Sequence, residues 1–152
     1  MKNYTIQKDN NEKIVVKNIY CIGRNYSEHA EELGNAQPKE PFFFQKSIPS
    51  LNTTQEICIP QHRNIEYEVE IVLLVGKDGV GTSLEDSLSF IDGYAIGIDL
   101  TDREYQNQLK SKKLPWLLSK SFLGSAVVSN FSAKPINCLL YTSDAADDAL
   151  SV

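Results

Sequence analysis

The segment Glu66-Tyr67-Glu68-Val69-Glu70-Ile71-Val72-Leu73-Leu74-Val75 constrains this chain more than any other. It holds no glycine or proline, and its first six residues alternate acid with apolar or aromatic. A period of two predicts a β-strand with Glu66, Glu68 and Glu70 on one face and Tyr67, Val69 and Ile71 on the other. Same-face neighbours on a strand lie roughly 6 to 7 Å apart, so three carboxylates in a row repel one another wherever that face is dry. Two readings follow from the pattern. The acids form the solvated outer face of a half-buried strand, or they are there to hold a divalent cation, for which hard oxygen donors suit Mg²⁺, Mn²⁺ or Ca²⁺.

The chain has 152 residues, 41% hydrophobic and 23% charged, with 15 Lys+Arg against 20 Asp+Glu. These values predict one ordinary globular domain. No run approaches the roughly 18 apolar residues of a membrane span, and the polar N-terminus is no secretory signal, so no membrane association is expected. The net charge of -5 offers no basic footprint for a phosphate backbone, which argues against nucleic acid. Cys21, Cys58 and Cys138 are far apart, odd in number and lack a C-x-x-C spacing. Reduced thiols and a cytoplasmic location are expected.

Along the chain, the β-branched stretch Lys13 to Ile22 predicts one or two short strands ending at Gly23. A helix is expected next, capped by Asn25 or Ser27 and stopped at Gly34-Asn35. It places His29 and Glu32 on one face. Phe42 to Lys46 reads as a buried strand and Ile57-Cys58-Ile59-Pro60 as an edge piece. Ser83 caps a helix to Ser89, and Gly93 to Leu100 forms a strand. Thr101 is the expected N-cap of a helix running to about Lys112, broken by Leu114-Pro115-Trp116. Ser119 to Phe122 is expected to be extended or irregular, and Ala126 to Val128 a last strand.

Asp99 strengthens the cation reading, because it is the only charge in the apolar strand Gly93 to Leu100 and closes that strand. Its position suits a ligand or a helix cap, and pattern alone does not separate the two. His29 with Glu32 can form a general-base dyad in which the carboxylate orients the imidazole, or an ordinary surface pair.

Six blocks in order carry a wider resemblance. They are Gly23-Arg24-Asn25-Tyr26 with His29-x-x-Glu32; Phe43-Phe44-Gln45-Lys46-Ser47; Glu66 to Glu70; Gly93-Tyr94 to Asp99-Leu100-Thr101-Asp102-Arg103; Leu114-Pro115-Trp116; and Ser119-Lys120-Ser121. Over about residues 18 to 131 this order resembles the fumarylacetoacetate hydrolase family, and most closely its short, single-domain branch of acylpyruvate hydrolases and oxaloacetate decarboxylases. The resemblance implies an α+β, β-rich fold, a mixed β-roll, incomplete in this chain. It implies Glu68, Glu70 and Asp99 as ligands of Mg²⁺ or Mn²⁺, with Glu66 a neighbour. It also implies a catalytic group of His29, Glu32 and Lys120, the first two on a segment able to fold over the site. Arg24, Lys46, Arg103 and Gln106 become candidates for substrate carboxylate or carbonyl contacts, consistent with the affinity of Arg and Lys for carboxylates.

The implied activity is metal-dependent cleavage of a carbon–carbon bond in a small 2-oxo acid. It is either hydrolysis of an acylpyruvate to pyruvate and a carboxylic acid or decarboxylation of oxaloacetate. An isomerase or hydratase on the same scaffold is an alternative, and a homodimer is expected of the parent protein. Residues 1–137 are taken as the catalytic domain, lacking its C-terminal part. Residues 138–152 resemble a translated transposon-type sequencing adapter and are expected to be non-native, although Ser143-Asp144-Ala145-Ala146 also suits a helix start. A second reading follows, in which the chain is an inactive fragment of such an enzyme. A calcium-binding acidic surface is a third, disfavoured by the absence of an EF-hand loop pattern.

Overall fold

A computed structural model describes residues 3–23, 25, 40–54 and 56–133. Its strands are β1 (Thr5–Gln7), β2 (Lys13–Val15), β3 (Ile19–Gly23), β4 (Phe42–Lys46), β5 (Leu51–Asn52), β6 (Ile65–Val75), β7 (Ile91–Asp102) and β8 (Ala126–Val128). Among the described residues three short α-helices accompany them, α1 (Leu84–Leu88), α2 (Arg103–Ser111) and α3 (Leu117–Lys120). The fold is α+β and rich in strand, as expected.

A four-stranded mixed sheet organises the molecule in the order β5-β8-β7-β6, with β5 parallel to β8 and the other pairs antiparallel. Two further antiparallel strand pairs, β1-β2 and β3-β4, accompany it, the first packing Ile6 and Ile14 into the core with Ala95. The β6–β7 ladder pairs Glu66 with Thr101, Glu68 with Asp99, Glu70 with Gly97, Val72 with Ala95 and Leu74 with Gly93. Directly opposed residues share a sheet face, so one face of this ladder carries acids at one end and small or apolar residues at the other.

The apolar end of that face is the core. Ala95, Ile6 and Phe131 are buried there, with Ile14, Val16, Leu51, Val72, Leu74 and Val128 packed against them. Burying one aromatic ring such as Phe131 stabilises the fold by about 2 to 3 kcal/mol. Gly97 admits the close approach of neighbouring strands, since a Cβ there would lie 2.5 Å from Val72 Cγ2 and 3.3 Å from the Val127 carbonyl oxygen.

Several local expectations are corrected. The helix after β7 begins one residue later, because the Asp102 carboxylate, not Thr101, accepts from the Tyr105 N–H. Thr101 remains in β7, where strand pairing with Glu66 competes with capping. Leu117–Lys120 is a short helix rather than an extended stretch, with Ser119 and Lys120 buried. Ile57 to Pro60 forms no strand, and Ile57 and Ile59 are exposed. Thr5–Gln7 is a strand that a polar N-terminus did not signal. Ser83 does cap α1, accepting from the Asp86 N–H.

Candidate active site

The acidic end of the ladder is closed by two lysines. Lys120 Nζ donates to Asp99 Oδ2 at 2.7 Å, Glu68 Oε2 at 2.8 Å and Thr101 Oγ1 at 2.7 Å, using all three ammonium protons. Lys120 reaches this point because the turn of α3 is folded against β7, which buries the residue to 2% exposure. Lys46, also 2% exposed, arrives from β4 and lies 2.8 Å from Asp99 Oδ1. The Asp99 carboxylate therefore bridges two buried ammonium groups.

The two oxygens of Asp99 are not equivalently satisfied. Oδ2 accepts an aligned bond from Lys120, whereas Oδ1, though within ion-pair distance of Lys46, receives no aligned hydrogen bond. Coulombic attraction tolerates the angle that a hydrogen bond does not. Asp99 Oδ1 is thus held by charge rather than by an aligned hydrogen bond, on the face that also carries Glu68 and Glu70.

Glu68 is held on its other side by Arg103, whose Nη2 donates to Oε1 at 2.6 Å. Arg103 Nε donates to Glu66 at 2.6 Å and Nη1 to the buried Gln106 at 2.8 Å. Burial alone would push the Glu68 carboxyl up, but Lys120 and Arg103 together hold it below its ordinary range. Burial lowers the Lys46 pKa, opposed by Asp99. Cys21, on β3 facing this site, has its thiol pushed up to about 11 by burial first and by the Asp99 charge second.

An aromatic wall bounds the charged cluster. Lys120 Nζ lies 5.4 Å from the Phe44 ring centroid, within cation–π range. Phe42 meets Trp116 edge-on at 5.3 Å, and Lys110 stands over Trp116 at 5.1 Å.

The structure thus gathers Glu68, Asp99, Lys120, Lys46, Arg103 and Gln106, with Glu70 on the same sheet face, one ladder pair further from Thr101. Arg24, His29 and Glu32 lie outside the described residues. Among the described residues no three His, Cys, Asp or Glu side chains converge as a closed ligand set. Glu68 and Asp99 converge instead on a single cation, the Lys120 ammonium. Sequence reasoning passed over Thr101, Phe44 and Ser125. Thr101 was detectable, since it lies two residues beyond Asp99 and a strand period puts both on one face.

Residues 18–145 match the family described as fumarylacetoacetate (FAA) hydrolase C-terminal. The mitochondrial oxaloacetate tautomerase of Caenorhabditis elegans is 39% identical over 115 residues, 74% of this chain and 54% of that protein. The mitochondrial oxaloacetate decarboxylase of Dictyostelium discoideum is 40% identical over 121 residues, 78% of this chain and 56% of that protein. The chain thus spans about half the length of these curated relatives. Among solved structures, fumarylpyruvate hydrolase from Pseudomonas aeruginosa, in complex with Mn²⁺ and pyruvate, superposes with a TM-score of 0.80 at 31% identity. That superposition covers 86% of this chain and 60% of the other. With the match spanning residues 18–145 and the fold agreeing, the chain belongs to the fumarylacetoacetate hydrolase family.

Proposed function

We propose that this chain carries the catalytic site of an enzyme that cleaves a carbon–carbon bond in a small 2-oxo acid, on Glu68, Glu70, Asp99 and Lys120. The observation that carries the reading is the convergence of Glu68 and Asp99 oxygens on one cation, on the sheet face that also carries Glu70. Hard carboxylate oxygens on one buried sheet face fit Mg²⁺ or Mn²⁺. Glu68, Glu70 and Asp99 would hold the ion, which would supply Lewis-acid stabilisation of developing negative charge. The Mn²⁺ and pyruvate in the Pseudomonas relative support that choice.

The remaining chemistry belongs to side chains. Lys120, fixed by Asp99, Glu68 and Thr101, supplies a positive charge at the site, and its ammonium would reach a substrate carbonyl or carboxylate by exchanging one of those three bonds. Phe44 and Trp116 keep water from one side. Arg103 locks Glu68 in orientation, and Gln106 is locked in turn; together with Arg24 they remain the candidates for substrate contact, whereas Lys46 is enclosed by protein acceptors. His29, oriented by Glu32, takes a proton from water that attacks the distal carbonyl of an acylpyruvate, releasing pyruvate and a carboxylic acid. With oxaloacetate no water is needed, since carbon dioxide leaves and the enolate takes up a proton to give pyruvate.

A second reading, tautomerisation of oxaloacetate, is favoured by the name of the nematode relative and uses the same enolate without breaking a carbon–carbon bond. A third holds that the chain alone is an inactive fragment, consistent with its covering about half of those relatives. The parent protein is proposed to be a homodimer in the cytoplasm. Free thiols at Cys21 and Cys58 suit a reducing compartment, and both relatives are mitochondrial. Residues 1–137 are proposed as the catalytic domain and 138–152 as foreign to it.

The test is turnover of acetylpyruvate and oxaloacetate by this chain with Mg²⁺ or Mn²⁺, against Glu68→Gln. Turnover lost in the variant supports the site, and the preferred substrate separates hydrolase from decarboxylase. Enol–keto exchange without carbon dioxide or acetate selects the tautomerase. A folded chain inactive in all three assays contradicts activity for this polypeptide and leaves the fragment reading standing.

A further inference from the structure

The Lys46 ammonium sits where a substrate cannot easily reach it. At 2% exposure, its Nζ donates to the carbonyl oxygen of Ser125 at 3.0 Å, to Ser125 Oγ at 3.1 Å, to the carbonyl of Leu100 at 3.4 Å and, closely, to the carbonyl of Lys120. It also pairs with Asp99 Oδ1 at 2.8 Å. A lysine ammonium has three protons, and here every direction is taken by protein acceptors.

Those acceptors come from separate parts of the chain. Asp99 and Leu100 belong to β7, Lys120 closes α3, and Ser125 precedes β8, while Lys46 itself ends β4. Ser125 Oγ donates to the Lys120 carbonyl at 2.9 Å, closing the loop between the two. The Ser125 carbonyl also accepts from the Leu100 N–H at 3.0 Å. One buried cation thus fixes the backbone of Lys120 and the side chain of Asp99 together, while the Lys120 side chain grips Asp99 from the other oxygen.

From this arrangement we propose that Lys46 is a positioning residue: it anchors the Lys120 carbonyl, Ser125 and Asp99 Oδ1 on one ammonium, and so sets the distance between Lys120 and Asp99 without touching substrate. The kinetic part of this assignment rests on the proposed function. The structural part does not. A group acting only through its neighbours affects the chemical step more than substrate affinity, because the bound pose keeps its direct contacts while the reacting groups lose register.

Three variants test it. Lys46→Met removes the charge at nearly the same length, and Ser125→Ala removes only the hydroxyl link should the first variant fold poorly. Amide hydrogen exchange on the metal-free chain, with no substrate, reads the anchoring directly. Exchange across residues 117–125 is expected to rise at least tenfold in Lys46→Met and by a smaller factor in Ser125→Ala, with the β6–β7 ladder unchanged away from Asp99. Unchanged exchange across 117–125 in both variants overturns the proposal. In turnover assays, kcat is expected to fall about a hundredfold in Lys46→Met with KM within threefold of the parent chain. Methylammonium, small enough for the vacated channel, is expected to restore part of that loss in Lys46→Ala. A large rise in KM at constant kcat overturns positioning in favour of direct substrate contact. Absence of turnover in the parent chain contradicts the proposed function alone, and exchange then decides the role of Lys46.

Discussion

The two faces of the β6–β7 ladder follow opposite rules. One face carries Glu66, Glu68, Asp99 and Thr101 and is covered by Lys46, Lys120 and Arg103. The other presents Tyr67, Val69 and Leu73 at 56%, 61% and 51% exposure. An alternating strand usually buries its apolar side and wets its acids. Here the ion pairs are inside and the aromatic and β-branched residues are outside. Burying carboxylates costs free energy that only close, hydrogen-bonded partners offset, so the fold commits three cations to three acids. Charged groups in a fixed, partly dry setting exert stronger fields than in water.

The largest effect is expected where the closed face loses its hub. Asp99→Ala leaves Lys46 and Lys120 buried without their shared counter-charge and should cost about 3 kcal/mol or more in urea unfolding. A cost below about 1 kcal/mol would show that the buried cluster is not structural. Next comes the ladder itself. Gly97→Ala puts a methyl group 2.5 Å from Val72 Cγ2 and should cost about 1 to 3 kcal/mol, read as a lower thermal midpoint.

Acid separates the faces further. Glu68 has its carboxyl held below the ordinary value of 4.5, so its contribution is present above that value and is lost as pH falls through the lower folded pKa. Urea midpoints measured from pH 6 down to pH 3 should drop more steeply for the parent chain than for Glu68→Gln. Equal slopes would contradict the Lys120 and Arg103 pairing. The smallest effect belongs to the open face, where Val69→Lys should change unfolding free energy by less than about 0.5 kcal/mol. It should also raise the concentration at which the chain stays monodisperse in light scattering, since exposed apolar strand surface promotes association.

The strand pattern of Glu66 to Val75 was legible because a period of two needs no tertiary information, and Asp99 was grouped with that row once six ordered blocks pointed to a family, but its pairing directly opposite Glu68 was not foreseen. What covers each face was not legible. Lys120 and Lys46 are distant in sequence from Asp99, and nothing local in Ser119-Lys120-Ser121 announces that a turn of helix will aim an ammonium into the sheet. Thr101 was misread as a cap because Ser, Thr and Asp compete for that role over adjacent positions, and Asp102 took it. The family resemblance implies Arg103 as a candidate substrate contact, whereas its fork is spread over Glu66, Glu68 and Gln106. Side-chain partners across a sheet follow from register and burial, which composition does not encode.

The central proposal is that the closed acidic face can hold a divalent cation. Its most direct test is a Mn²⁺ titration of the chain followed by electron paramagnetic resonance, in parallel with Glu68→Gln and Asp99→Asn. The account predicts one bound Mn²⁺ per chain, with affinity reduced at least tenfold in each variant while both stay folded. Binding that is undiminished in both variants, or a folded parent chain that binds no Mn²⁺, would contradict it.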